Sequence, residues 1–192
     1  GQYYNYKRDY QKSKDYLNKA LKIALNNNQT ATIKGKLGDC EYDIGNFDTA
    51  IQIFNEELSL FNEVNDSIGV ALSHGHLGSA LLQKGDLDKS LQEFQKSYEI
   101  SKKNDSRKMV CHALGNIALI HNIRGQYNKS LEIYKELDIT NNHTTETYLN
   151  YSNILLKTNK LFEAIDLLNK LLLEDKENLK ALRQRSLIYK QL

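Results

Sequence analysis

The chain has 192 residues, 40% of them hydrophobic, which is enough to bury a core and too many for a disordered segment. Its 26 basic and 24 acidic side chains leave a net charge of +2, giving no electrostatic case for nucleic acid, and no run approaches the roughly 18 apolar residues of a membrane span. Proline is absent and the two cysteines are isolated, so glycine and asparagine must punctuate the elements, and the thiols favour a reducing compartment over a disulfide scaffold.

In chain order, apolar periodicity predicts a truncated helix at the start, then helices over 9–26, 30–44, 47–63, 68–84, 87–103, 107–124, 127–137, 144–158, 161–174 and 177–191. The charge is unevenly spread along them. Residues 1–36 carry eight basic and two acidic side chains, whereas 37–83 hold eight acidic and no basic ones. That pattern reads either as solvated faces of opposite sign or as a polarised docking surface for a partner with basic residues.

The helices repeat. RDYQKS from Arg8, GNFDTA from Gly45, GDLDKS from Gly85, GQYNKS from Gly125 and NKLFEA from Asn159 align at spacings of 37, 40, 40 and 34. Each ends on a small residue, and four residues later stands Leu17, Phe54, Phe94, Tyr134 or Leu168, a spacing that places both on one helical face. Leu37 and Gly38, Leu77 and Gly78, and Ile117 and Ala118 precede the turn glycines in the same register. The unit is therefore a pair of amphipathic helices joined at Gly45, Gly85 or Gly125, where glycine takes a positive φ at little steric cost. A period of this kind means a repeat array, not a single closed core.

These positions resemble the tetratricopeptide repeat (TPR), over almost the whole chain. The resemblance implies an all-α fold, an α-α superhelix or solenoid of helical hairpins, arranged as one array over 1–192 with repeats at 1–28 (partial), 29–66, 67–106, 107–142, 143–176 and 177–192 (partial). The incomplete repeats at both ends point to a fragment of a longer protein. Gly35, Gly75 and Gly115 recur at intervals of 40, as close-packing positions or as the floor of a groove, and the longer unit is similar to the Pins/LGN adaptors, with kinesin light chains and bacterial Rap regulators as more distant comparisons. The family's usual proline after the second helix is replaced by Lys176, which suggests joints of adjustable curvature.

In the family the first helices line a concave groove. Carried onto this chain, its groove positions are Lys36, Asp39, His76, Ser79, His112, Asn116, Leu119, Asn150 and Asn153. Asparagine suits this role because its amide offers both donors and an acceptor to a peptide backbone. His74 and His121 fall at helix-packing positions, and the histidines lack metal-ligand spacing, so neither a metal nor a cofactor is expected. The second basic arm of a chaperone-tail clamp is missing, with Gln184 four residues after Lys180. No catalytic motif is found, and the Glu56–Glu57 pair reads as a solvated face. The implied function is a non-enzymatic, cytoplasmic scaffold that binds a protein or peptide partner in its groove. The alternatives are a peptide-sensing regulatory domain that controls an output module, and a structural spacer in a larger assembly.

Overall fold

The computed structural model describes residues 10–138 and 145–190. Among the described residues it contains ten helices and no strand, and the chain divides into two compact units over Gly1–Asp105 and Ser106–Leu192. The truncated helix expected at the start lies outside the described residues. Among them, no helix is long and apolar enough to cross a membrane.

The first unit holds α1 (Tyr10–Lys22), α2 (Asn27–Asp43), α3 (Phe47–Glu63), α4 (Ser67–Gln83) and α5 (Leu87–Lys103). Each packs on the next in chain order. Its core grows from the repeated small residue and the aromatic one helical turn later: Ala50 with Phe54 and Ser90 with Phe94 are all buried. The facing glycines make room for the rings. A Cβ on Gly38 would come within 2.3 Å of the Phe54 ring, and one on Gly78 would stand 3.0 Å from that of Phe94. Gly69 does the same for Phe61, with ring carbon at 2.3 Å. The copy in α1 does not follow, since Ser13 is exposed and α1 buries no residue.

The second unit holds α6 (Arg107–Ile123), α7 (Tyr127–Asp138), α8 (Thr145–Lys157), α9 (Leu161–Glu174) and α10 (Leu179–Tyr189). Consecutive helices again pack together, and α8 also meets α6 and α10. Ser130 with Tyr134 and Ala164 with Leu168 form the same buried pairs. The serines contribute more than small size. Ser90 Oγ donates to the Gly78 carbonyl at 2.7 Å and Ser130 Oγ to the Ala118 carbonyl at 2.8 Å, so each hairpin is tied across its two helices. A buried bond of this kind contributes about 1 kcal/mol.

Left-handed residues end the helices. Gly45 has φ 88°, with Gly85 and Gly125 alike, and the fifth copy fills the same slot with Asn159 at φ 58°. Beyond each, an amide turns back on the last helical turn: Asn46 N–H to the Glu41 carbonyl at 2.9 Å, and Lys160 N–H to that of Leu155 at 2.8 Å. The joints between hairpins reuse this turn, with Asn65 at φ 56° and Asp105 at φ 52°. Asp66 N–H meets the Phe61 carbonyl at 3.0 Å, and the Asp66 side chain caps α4 through Gly69 N–H at 2.9 Å. The joint at Asn65 is thus a short, hydrogen-bonded turn. Sequence periodicity also ran α1 to 26 and began α2 at 30. The structure ends α1 at Lys22 and starts α2 at Asn27, because the Asn26 side chain accepts from Gln29 N–H and caps α2, leaving Ile23 and Leu25 exposed.

Candidate functional site

Opposite charges, segregated in the sequence, meet in space within the first unit. Lys14 on α1 donates to Glu41 on α2 at 3.0 Å, Lys34 pairs with Glu56 across α2 and α3, and Lys84 at the end of α4 pairs with Asp48 on α3. The Glu41 carboxyl is held below its ordinary value by a hydrogen bond from the Asn46 amide, with Lys14 adding to it against the opposing effect of burial. Much of the acidic stretch is therefore matched by basic partners on neighbouring helices.

Three of the expected groove residues converge in this unit. Lys36 Nζ lies 3.1 Å from Asp39 Oδ2 on the same face of α2, an exposed pair worth a few tenths of a kcal/mol. The other oxygen of Asp39 faces Nε2 of His76 on α4 at 3.9 Å. His76 is held from behind, because its Nδ1 lies 2.9 Å from Glu57 Oε2 and its ring packs on Phe54 at a centroid separation of 4.8 Å.

Glu57 corrects the reading of Glu56–Glu57 as a solvated face. Its side chain is 1% exposed, whereas Glu56 remains at the surface. A signal for this burial was present in the sequence. Glu57 follows Ala50 and Phe54 at i+7, on the core face of the helix, and the equivalent positions Ser97, Leu137 and Leu171 are buried too. Gly35 supplies the space: a Cβ there would stand 2.2 Å from Glu57 Oε1.

The helix α4 sends a second histidine the other way. His74 Nδ1 lies 2.6 Å from Glu93 Oε2 on α5, and Lys96 Nζ reaches the second oxygen at 2.7 Å. Burial opposes ionisation of Glu93, but the bonds from His74 and Lys96 outweigh it and hold the carboxyl below its ordinary value. His74 thus occupies the packing position expected of it. Ser79 is half-buried, and its hydroxyl donates to the Gly75 carbonyl on its own helix at 2.9 Å.

In the second unit, His112, Asn116 and Leu119 lie on α6 and Asn150 and Asn153 on α8. The Asn116 amide donates to the His112 carbonyl at 2.9 Å, so one of its two N–H groups is used within α6. Asn150 is half-buried and Asn153 exposed, three residues apart on one face of α8, and neither amide is engaged among the described residues. Gly115 differs from Gly35, since a Cβ there would meet Thr147 Oγ1 no closer than 3.8 Å. Behind it, Tyr134 donates to the Gly115 carbonyl at 3.4 Å and stacks on Tyr151 at 5.3 Å. Burial pushes the Tyr134 phenol well up, and the negative charge of Glu146 adds to the shift. His121 Nδ1 lies 2.6 Å from Gln126 Oε1 across the hairpin turn. The Gln184 amide donates to the Leu149 carbonyl at 3.4 Å. Among the described residues, no three histidine, cysteine or carboxylate side chains form a metal-binding group.

Known structures share this architecture. The crystal structure of BtubC (BKLC) from P. vanneervenii superposes with a TM-score of 0.71 at 17% identity, over 95% of this chain and 82% of that one. Aspartyl phosphate phosphatase F from Bacillus subtilis gives 0.79 at 16% identity, over 93% of this chain and 49% of the phosphatase, so the chain spans about half the phosphatase's length. At these identities the likeness is one of fold. No curated protein sequence matches. The sequence profile of the tetratricopeptide repeat matches residues 1–63, 29–103 and 69–137, the stretches in which small residue, aromatic and left-handed turn recur, and the chain belongs to the tetratricopeptide repeat family.

Proposed function

We propose that the chain is a non-enzymatic binding module that holds a segment of another protein on the faces of its first helices, as part of one repeat array over 1–192. Membership of the tetratricopeptide repeat family supports a protein-interaction scaffold in general. The observation that carries the specific surface is the set of polar side chains that the first helices leave partly or fully exposed. The second helices spend their inward residues on packing, from Ala50 and Phe54 to Ala164 and Leu168. The first helices present Lys36, Asp39 and His76 in one unit and Asn150 and Asn153 in the other as partly or fully exposed polar groups. An amide such as Asn150 can pair with an extended backbone whatever its side chains, and Asp39 offers a carboxylate oxygen to a basic one.

The two buried thiols, Cys40 and Cys111, agree with a reducing cytoplasmic setting. The test is affinity capture with the wild-type chain and with the double variant Asn150→Ala, Asn153→Ala, both checked for unchanged helicity. Loss of a reproducible partner from the variant supports the surface. Equal recovery removes it.

A further inference from the structure

The geometry points to a subsite for a cationic N–H donor, an ammonium or guanidinium group of the bound partner, between Asp39 Oδ1 and His76 Nε2. This rests on the binding reading above and names the chemistry that one part of the surface selects. The two atoms face each other across 3.9 Å, too far for a hydrogen bond between them and short enough for one nitrogen group to reach both.

The surroundings decide what that group is. Glu57 Oε2 lies 2.9 Å from Nδ1 on the inner side of the ring; with Nδ1–H donating to that carboxylate, a neutral imidazole presents Nε2 outward as an acceptor. Asp39 Oδ1 is an acceptor as well. A pair of acceptors is matched by a group with two donors. The local charges are Asp39 and the buried Glu57 against Lys36 alone, which leaves an excess negative charge for a cation to neutralise. The ring is fixed in place by its packing on Phe54, so binding at Nε2 costs little ordering of His76.

Lys36 makes the subsite self-limiting. Its ammonium sits on Asp39 Oδ2 with its own side chain 66% exposed, close enough to compete for the same carboxylate. The charged groups facing His76 are Glu57 from α3 and Asp39 with Lys36 from α2, while Glu93 of α5 is taken by His74.

The test follows the ring nitrogens and carbons of His76 by NMR on the full chain during titration with N-acetyl-lysine methylamide, N-acetyl-arginine methylamide and the uncharged N-acetyl-norleucine methylamide. A saturable shift with one or both cationic probes is expected, the stronger arm identifying the head group, and none with norleucine. Asp39→Asn weakens the response on the order of fivefold and Lys36→Met strengthens it about twofold, the range of an exposed charge contact. No shift, a shift equal with norleucine, or a shift indifferent to Asp39→Asn overturns the subsite and leaves water alone bridging the two atoms. Partner capture that still depends on Asn150 and Asn153 would then show that the subsite alone had failed.

Discussion

Gly35 is glycine because Glu57 fills the space its side chain would take: a Cβ on Gly35 would stand 2.2 Å from Glu57 Oε1. The same carboxylate holds His76 through its other oxygen, so one missing methyl group on α2 sets the orientation of a histidine on α4. Gly35→Ala should therefore cost about 1–3 kcal/mol by overpacking. In a Glu57→Ala background the same change should cost nothing or stabilise, since alanine is the better helix former by about 1 kcal/mol. Urea unfolding of the four proteins of this cycle reads the coupling; additive effects would mean that the two residues do not share the space.

Gly115 occupies the same register without the same constraint. With Thr147 Oγ1 at 3.8 Å as the nearest contact to an added Cβ, Gly115→Ala should stabilise the chain by about 0.5–1 kcal/mol through helix propensity. A loss of stability in thermal or urea melts would show that this glycine, too, is required by packing.

These contrasts mark what the sequence could tell. The hairpin period was legible because it is written in residues with few alternatives: a left-handed slot tolerates glycine or asparagine, and Ala50 with Phe54 must share a helical face. The alignment even placed Asn159 in the slot of Gly45. Glu57 was misread because a charged residue type outweighed its i+7 position behind Ala50, and the charge segregation left solvated faces and a polarised surface both open because spacing along the chain does not show that Lys14 meets Glu41. Asn116 was legible as a position on the first helix, but not its bond to the His112 carbonyl, which depends on the rotamer chosen within α6.

Buried hydroxyls give a second internal contrast. Ser130 donates to the Ala118 carbonyl, and Ser130→Ala should cost about 0.5–1.5 kcal/mol. Ser101 Oγ is equally buried and has no hydrogen-bond partner among the described residues. Ser101→Ala relieves that unpaired group and should be neutral or stabilise by up to about 1 kcal/mol. Denaturation midpoints that rank the two variants in the opposite order would contradict these assignments.

At the left-handed slot of Asn159, Asn159→Gly should be neutral or mildly stabilising. Asn159→Val forces a β-branched residue into positive φ and should cost about 1–2 kcal/mol. Equal melting temperatures for the two variants would mean that the turn rearranges instead of carrying strain.

Hydrogen bonds from His74 and Lys96 outweigh burial and hold the Glu93 carboxyl below its ordinary value of 4.5. Because the folded value is the lower one, its contribution is complete above pH 4.5 and is lost as pH falls through the depressed folded value. Glu93→Gln should flatten the fall of stability with pH in that acid range. It should leave the shape of the profile above it unchanged; an unaltered acid slope in urea titrations at several pH values would remove Glu93 from the account.

The central claim is that partners meet the first helices and not the second. The direct measurement is site-specific photo-crosslinking with a benzophenone side chain placed in turn at Asn153, exposed on α8, and at Glu132, exposed on α7, followed by mass spectrometry of the adducts. The account predicts a partner adduct from position 153 that is lost with Asn150→Ala, and none from position 132. Adducts from position 132 alone would contradict it.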